Sequence, residues 1–203
     1  MNGRYLVIDL KIQNKEFRLL NTYAPNHFKE RCDFLKNIIA GYTKTERDII
    51  YGGDHNCVPN KTLDRCGDNR VKSMDEHVQH RLGTYDQSYN EKDAQILKQI
   101  MSDAELEDVW RRRNPELAKF TWRHIGKHLA SRIDYWLISK SLDNSVKSVV
   151  IVETPFNDHC AITLCINLSE TVRGKGYWKM NNQVLNSNLF KEKFKVFWDE
   201  WEL

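Results

Sequence analysis

Residues 49–56 read Ile49-Ile50-Tyr51-Gly52-Gly53-Asp54-His55-Asn56. A short apolar run ends in two glycines, then in a carboxylate and an amide two positions apart. The pattern predicts a buried strand over 48–51 that opens into a polar loop. The glycines let the backbone turn sharply and come close to a ligand, and Asp54 and Asn56 can project to the same side. Taken alone, the string reads first as a polar β-turn. Recurrence argues for more. Asn21 and Tyr23 lie at the end of Leu19-Leu20-Asn21-Thr22-Tyr23-Ala24-Pro25-Asn26, Asp134 lies in the run 131–139 (SRIDYWLIS), and Asp158-His159 precede the apolar run 160–168. Each polar residue sits where a strand-like run meets polar loop sequence, and a sheet can converge several such strand ends into one site.

Outward from that stretch, residues 4–12 and 17–23 read as two antiparallel strands joined through Gln13-Asn14-Lys15, and 27–42 reads as a helix carrying Phe28, Cys32, Leu35, Ile38 and Ile39 on one face. Residues 60–85 form a polar, turn-rich connection. A second helix is predicted over 90–104 with Ala94, Ile96, Leu97, Ile100 and Met101 inward, followed by strands over 119–122, 133–138, 147–152 and 161–168. Strands interspersed with two helices indicate α+β or layered α/β. After a polar linker over 169–176, Leu189, Phe190, Phe194, Phe197, Trp198 and Trp201 mark one face of an amphipathic helix, a packing face rather than a cofactor site.

The polar inventory suits phosphate-ester hydrolysis: carboxylates for a metal or a water, amides and a phenol for phosphate oxygens, and an imidazole that can be cationic. Asp54 can orient or deprotonate the attacking water, and Asn56 can hold phosphate or metal without adding charge. A carboxylate embedded in a strand is costly without a partner, so Asp134 calls for His159, whose imidazolium such a pair favours. The alternative for Asp134 is a bond to backbone or Arg alone. Asp158 can face a metal, magnesium being a cation that prefers oxygen ligands and retains waters. Tyr23 can donate to phosphate or serve as a core tyrosine.

With 203 residues, 40% of them hydrophobic, the chain has the size of one ordinary domain. Its longest apolar runs fall far short of a membrane span, and MNGRYLVIDLKI lacks the features of a secretory signal. Five cysteines without a CxxC pair read as reduced thiols of an intracellular protein. The net charge of +3 is uninformative, whereas residues 111–132 carry seven Lys/Arg against one acid, with Phe120, Trp122, His124 and His128 interleaved. Basic and aromatic residues together can follow a phosphate backbone, although a solvated charged loop has the same composition.

In this order, LLNTYAPN, GGDHN, FTW, SRIDYWLIS and NDHCAITL resemble the endonuclease/exonuclease/phosphatase superfamily over residues 4–168. Within it, GGDHNCVPNKTLDR and the later GYWKMNNQVL are most similar to the endonuclease domain of LINE-type retrotransposon polyproteins and the segment leading to their reverse transcriptase. The resemblance implies an α/β fold, the DNase I-like four-layered α/β/β/α sandwich. It implies a partial catalytic domain over 1–168, and over 169–203 a linker and helix leading toward a reverse transcriptase region.

It also implies Mg2+-dependent hydrolysis of DNA in the nucleus, with Tyr23, Asp54, Asn56, Asp134 and His159 catalytic and Asp158 near the metal. Arg111, Arg112, Trp122, Arg123, Ser131 and Arg132 are then expected to meet nucleic acid. His55 stands where Phe is common and puts a titratable ring beside the site, and Asn157 stands where Ser is common. Family members carry an Asn and a metal-binding Glu on strands before the LNxYAPN run, whereas here 22 residues precede Tyr23 and Glu16 matches neither position nor context. The resemblance therefore implies that the first strands are missing. Two readings stand: an endonuclease, or an inactive remnant that at most binds nucleic acid.

Overall fold

The computed structural model describes residues 3–66, 89–125, 129–154, 158–168 and 182–201. Asn157, Lys127, His128, the linker 169–176 and most of the 60–85 connection lie outside them. Strands β1 (Tyr5–Ile12) and β2 (Lys15–Tyr23) pair antiparallel from Tyr5↔Thr22 to Ile12↔Lys15. Gln13 takes φ 56°, the left-handed geometry that lets two residues join strands with the right twist. The helical segment follows as α1 (Phe28–Phe34), a π turn over Leu35–Ile39 and α2 (Ala40–Tyr42).

Strand β3 (Asp48–Asp54) is longer than predicted because the two glycines belong to it. A side chain at Gly52 would stand 2.4 Å from the Trp136 ring, and one at Gly53, which has φ 134°, would stand 2.1 Å from the Thr22 carbonyl oxygen. The glycines thus serve close packing inside the sheet, not a turn around a ligand.

After α3 (Lys61–Asp64) and β4 (Arg65–Cys66), α4 (Tyr89–Asp103) turns Ala94, Leu97 and Ile100 inward as its periodicity predicts. Then come β5 (Leu106–Asp108), α5 (Val109–Arg113), β6 (Trp122–Arg123), β7 (Ala130–Ser131) and β8 (Asp134–Ser139). A 3₁₀ turn over Lys140–Ser145 leads to β9 (Val146–Val152) and β10 (Ala161–Ile166). The predicted strand over 119–122 reduces to β6, since the Thr121 N–H and C=O turn to Ser131 and Cys160 on opposite sides.

The main sheet has the order β1-β2-β3-β8-β5, with β2 and β3 parallel and the other pairs antiparallel. One face packs Leu20, Ile49, Tyr51 and Leu137 against Phe34, Leu35 and Ile39 of the first helical segment and Leu97 of α4. The other face packs Phe17, Ile50 and Ile138 with Val146, Val149 and Leu164 of the β9–β10 pair. The result is a helix/sheet/sheet layering, in which each fully buried Leu, Ile or Phe contributes roughly 1.5–3 kcal/mol. A third small sheet, β4-β7-β6, sits beside the end of β8.

The chain divides into two units, Met1–Ser169 and Glu170–Leu203. The second contains α6 (Asn182–Leu185) and α7 (Asn188–Trp201), on which Phe190, Phe194 and Trp198 stack in series with ring centroids 5.8 Å apart. Among the described residues no helix is long and apolar enough to cross a membrane.

Candidate active site

Register alone gathers the central residues. Tyr23 on β2 is opposite Asp54 on β3, and Asp54 is opposite Asp134 on β8, so three adjacent strands present one row at the same level. His159 arrives from the connection between β9 and β10, where it forms an isolated bridge to Trp122. Its Nδ1 lies 3.0 Å from Asp134 Oδ2. A carboxylate only accepts, so Nδ1 donates and Nε2 is the nitrogen not committed to Asp134. The Thr154 hydroxyl holds the His159 carbonyl oxygen.

Asp54, Asp134 and His159 bring one ligand atom each within 4.8 Å of one another. Burial raises the Asp54 carboxyl to about 6, with the Asn56 N–H opposing and the Asp134 carboxylate adding to the rise. Burial likewise raises Asp134, against the Thr121 hydroxyl and His159, which stabilise its charge. Thr121, fully buried, accepts the N–H groups of Ile133 and Asp134 at 3.0 and 2.9 Å. Sequence reasoning passed over it, although it is the middle residue of FTW.

Asn56 adopts φ 46° and closes back on Asp54, its N–H donating to Asp54 Oδ1 at 2.8 Å. Its side-chain amide donates to the Ala24 carbonyl oxygen at 2.8 Å and to Asn26 Oδ1 at 2.7 Å, which ties the ends of β2 and β3 together. Arg31 supports the same loop from below. It pairs with Asp93 at 2.7 Å and donates to the carbonyl oxygens of Pro25 and Asn26. Tyr23 is 50% exposed, with the Arg4 guanidinium 5.5 Å over its ring, which removes the core-tyrosine alternative.

Several expectations are corrected. Asp158 is not among the three residues whose ligand atoms meet within 4.8 Å; its Oδ2 accepts from Trp122 Nε1 at 3.1 Å, while its charge adds to the rise of Asp134. His55 is no titratable neighbour of the site: its ring is fully buried, stacked 4.0 Å from Tyr135, and burial holds it down to about 3. Arg132, also fully buried, is bound to Asp64 and Asp108, and Ser131 is buried in β7, so neither offers a surface to nucleic acid. Arg111 pairs with Asp64 at 2.5 Å, and Arg112 pairs with Glu107 and Asp143. Of that set, Arg123 is exposed with its guanidinium over Phe120, and Trp122 is half-buried beside His159.

The arrangement offers a hard-oxygen pair, an imidazole with one committed nitrogen, and an exposed phenol. Such a set can bind a cation, take a proton from water at Asp54 and neutralise an anionic oxygen at His159. Comparison with solved structures matches the frame. An AP endonuclease from Archaeoglobus fulgidus superposes with a TM-score of 0.58 at 16% identity, covering 80% of this chain and 65% of that one. A 3′ phosphatase from Neisseria bound to product DNA hairpin gives 0.52 at 20% identity, covering 79% and 64%.

The fold is that of the endonuclease/exonuclease/phosphatase superfamily.

Within this superfamily fold, the described strands and helices supply the DNase I-like mixed sheet expected from the sequence. The chain is also related to a transposon protein, again as expected: the transposon TX1 uncharacterized 149 kDa protein of Xenopus laevis is 29% identical over 203 residues. That match takes in 98% of this chain and 14% of the relative. The chain thus spans about a seventh of that protein and just under two-thirds of the solved structures. No protein-family model matches the chain.

Proposed function

We propose that this chain is a Mg2+-dependent DNA endonuclease domain of the LINE-type retrotransposon class, hydrolysing a phosphodiester with an activated water in the nucleus. The observation that carries the reading is the convergence of Asp54, Asp134 and His159 within 4.8 Å at one end of the main sheet. The kinship with a transposon protein and the superfamily fold support it, as does the DNA hairpin held by the Neisseria phosphatase.

In this reading Asp54 accepts the proton of the attacking water. Before a cation binds, burial raises its carboxyl to about 6, so it is mostly ionised at neutral pH, and a bound cation would favour that proton-accepting form further. As the water oxygen bonds to phosphorus, the opposite P–O bond breaks and its electron pair leaves with the departing oxygen. His159, aimed by Asp134, donates from Nε2 to the phosphate oxygen that gains charge. Tyr23 donates its phenol to a second phosphate oxygen, while Asn56 keeps Asp54 in place. Trp122 and Arg123 contact the DNA flanking the cut.

The donor set fits a divalent cation, because two facing carboxylates, one raised in part by the other, both gain from its charge. Asp54 and Asp134 would hold it with His159 beside them, and when bound it supplies Lewis-acid stabilisation of the phosphate charge.

Supercoiled plasmid incubated with the full chain tests this reading. Open circles are expected to form with Mg2+, and not with EDTA or with Asp54→Ala or His159→Ala. Nicking that survives both substitutions sinks the assignment. Plasmid that stays supercoiled while the chain still binds it leaves the remnant reading.

A further inference from the structure

Arg132 heads the fully buried side chains of the described residues by size. Its Nε and Nη2 donate to Asp64 at 2.6 and 3.0 Å, Nη2 donates to Asp108 at 2.6 Å, and its backbone N–H donates to the Asp64 carbonyl oxygen at 2.8 Å. The guanidinium lies 5.2 Å over Trp110 and 5.1 Å over Tyr135. Burying three charges is costly, and apolar side chains of similar volume often stabilise as well or better. Stability is therefore a poor reason for such a cluster, whereas a fixed geometry is a good one.

Three elements meet there. Asp64 ends α3, Asp108 caps α5 through the Arg111 N–H at 3.0 Å, and Arg132 stands two residues before Asp134. The two positions between cluster and site are themselves held. Ile133 O accepts the His55 N–H at 2.9 Å, and the N–H groups of Ile133 and Asp134 both donate to Thr121 Oγ1. The Arg132 guanidinium and the Thr121 hydroxyl thus hold the backbone on both sides of Ile133, and the Asp134 carboxylate carried by that backbone meets His159 Nδ1 at 3.0 Å.

We infer that Arg132 is a positioning residue: gripped by Asp64 and Asp108, it fixes the chain that aims Asp134 at His159. It touches neither substrate nor metal, and it replaces the nucleic-acid contact expected of this arginine. Only its consequence for rate rests on the endonuclease reading; its consequence for the Asp134–His159 hydrogen bond does not.

The test uses the full chain with Arg132→Lys, Asp64→Asn and Leu97→Ala. Lysine keeps the charge but cannot span two carboxylates with a planar fork. Leu97, buried on α4, supplies a loss of stability unconnected with the cluster. All are measured well below their own melting temperatures. The first readout is the downfield proton resonance of the His159 Nδ1–H in EDTA, and the second is plasmid nicking with Mg2+.

Arg132→Lys and Asp64→Asn are expected to shift or broaden that resonance and to lower kcat by about 100-fold, the scale of a small misplacement, with KM little changed. Leu97→Ala is expected to keep both. If the resonance in Arg132→Lys and Asp64→Asn matches wild type, or if Leu97→Ala loses it equally, the positioning role is overturned. Should Arg132→Lys fail to fold, Asp64→Asn decides by the same signals. A wild-type chain that shows the resonance but never nicks contradicts the endonuclease reading alone.

Discussion

Nothing in the string Asp54-His55-Asn56 distinguishes an outward ring from an inward one, and the structure settles it through backbone geometry. Asn56 at φ 46° curls back to donate to Asp54, while the His55 N–H is taken by Ile133, so the ring drops between Tyr51 and Tyr135. His55 Nε2 donates to the Tyr135 carbonyl oxygen at 3.2 Å and Nδ1 is buried without a partner. A histidine held at about 3 favours the folded state above its ordinary 6.5, and that contribution is lost as pH falls toward 3. The advantage of His55→Phe over wild type in melting temperature is accordingly expected to grow as pH falls from 6.5 to 4, and an advantage that is flat with pH would contradict a neutral buried ring.

Asp54 has the opposite sign. Its carboxyl, raised to about 6, favours the folded state below the ordinary 3.8, and the benefit is gone once pH has risen through 6. Asp54→Asn is therefore expected to melt higher than wild type at pH 7.5 in EDTA, by a margin that narrows toward pH 4. Thermal scans at the two pH values check it; a margin that widens on acidification would be inconsistent with a costly buried charge.

Long elements were legible because their periodicity is local. The β1–β2 hairpin, α4, β8, β9 and β10 lie within a few residues of their predicted bounds. The short ones were not. Strand β5 has three residues and β6 and β7 have two each, too few for any alternation, and β5 is a strand only because β8, some thirty positions on, accepts it. The glycine pair misled for a related reason: its demand comes from Trp136 and Thr22, neighbours created by the sheet. Gly53→Ala is expected to cost at least about 2 kcal/mol in urea unfolding, since strain at positive φ and overpacking each cost about 1–3 kcal/mol. A loss below about 0.5 kcal/mol, the ordinary range of a harmless substitution, would contradict the close approach.

Across the whole molecule, the basic run at 111–132 is largely an internal device. Arg111, Arg112, Arg113 and Arg132 answer Asp64, Glu107, Asp108 and Asp143, acids that precede or follow the run and so escape any count within it. Charge bookkeeping along the chain could not see those pairings, because the fold creates them. The site was far more legible than the surface: Tyr23, Asp54, Asn56, Asp134 and His159 were named from strand ends, and the sheet register brings Tyr23, Asp54 and Asp134 into one row. Adjacency to His159 does not say which way the Asp158 carboxylate turns, and here it turns to Trp122 while its charge still reaches Asp134.

In the proposed hydrolysis, Asp134 and His159 act on the phosphodiester as one unit. Plasmid-nicking rates with Mg2+ for wild type, Asp134→Asn, His159→Ala and the double variant test that coupling. Each single change is expected to lower the rate by about 100-fold or more, as for a positioned acid–base group, and the double variant is expected to lose little beyond that. Losses that multiply, or single variants that nick at the wild-type rate, would show that Asp134 and His159 do not act as a unit.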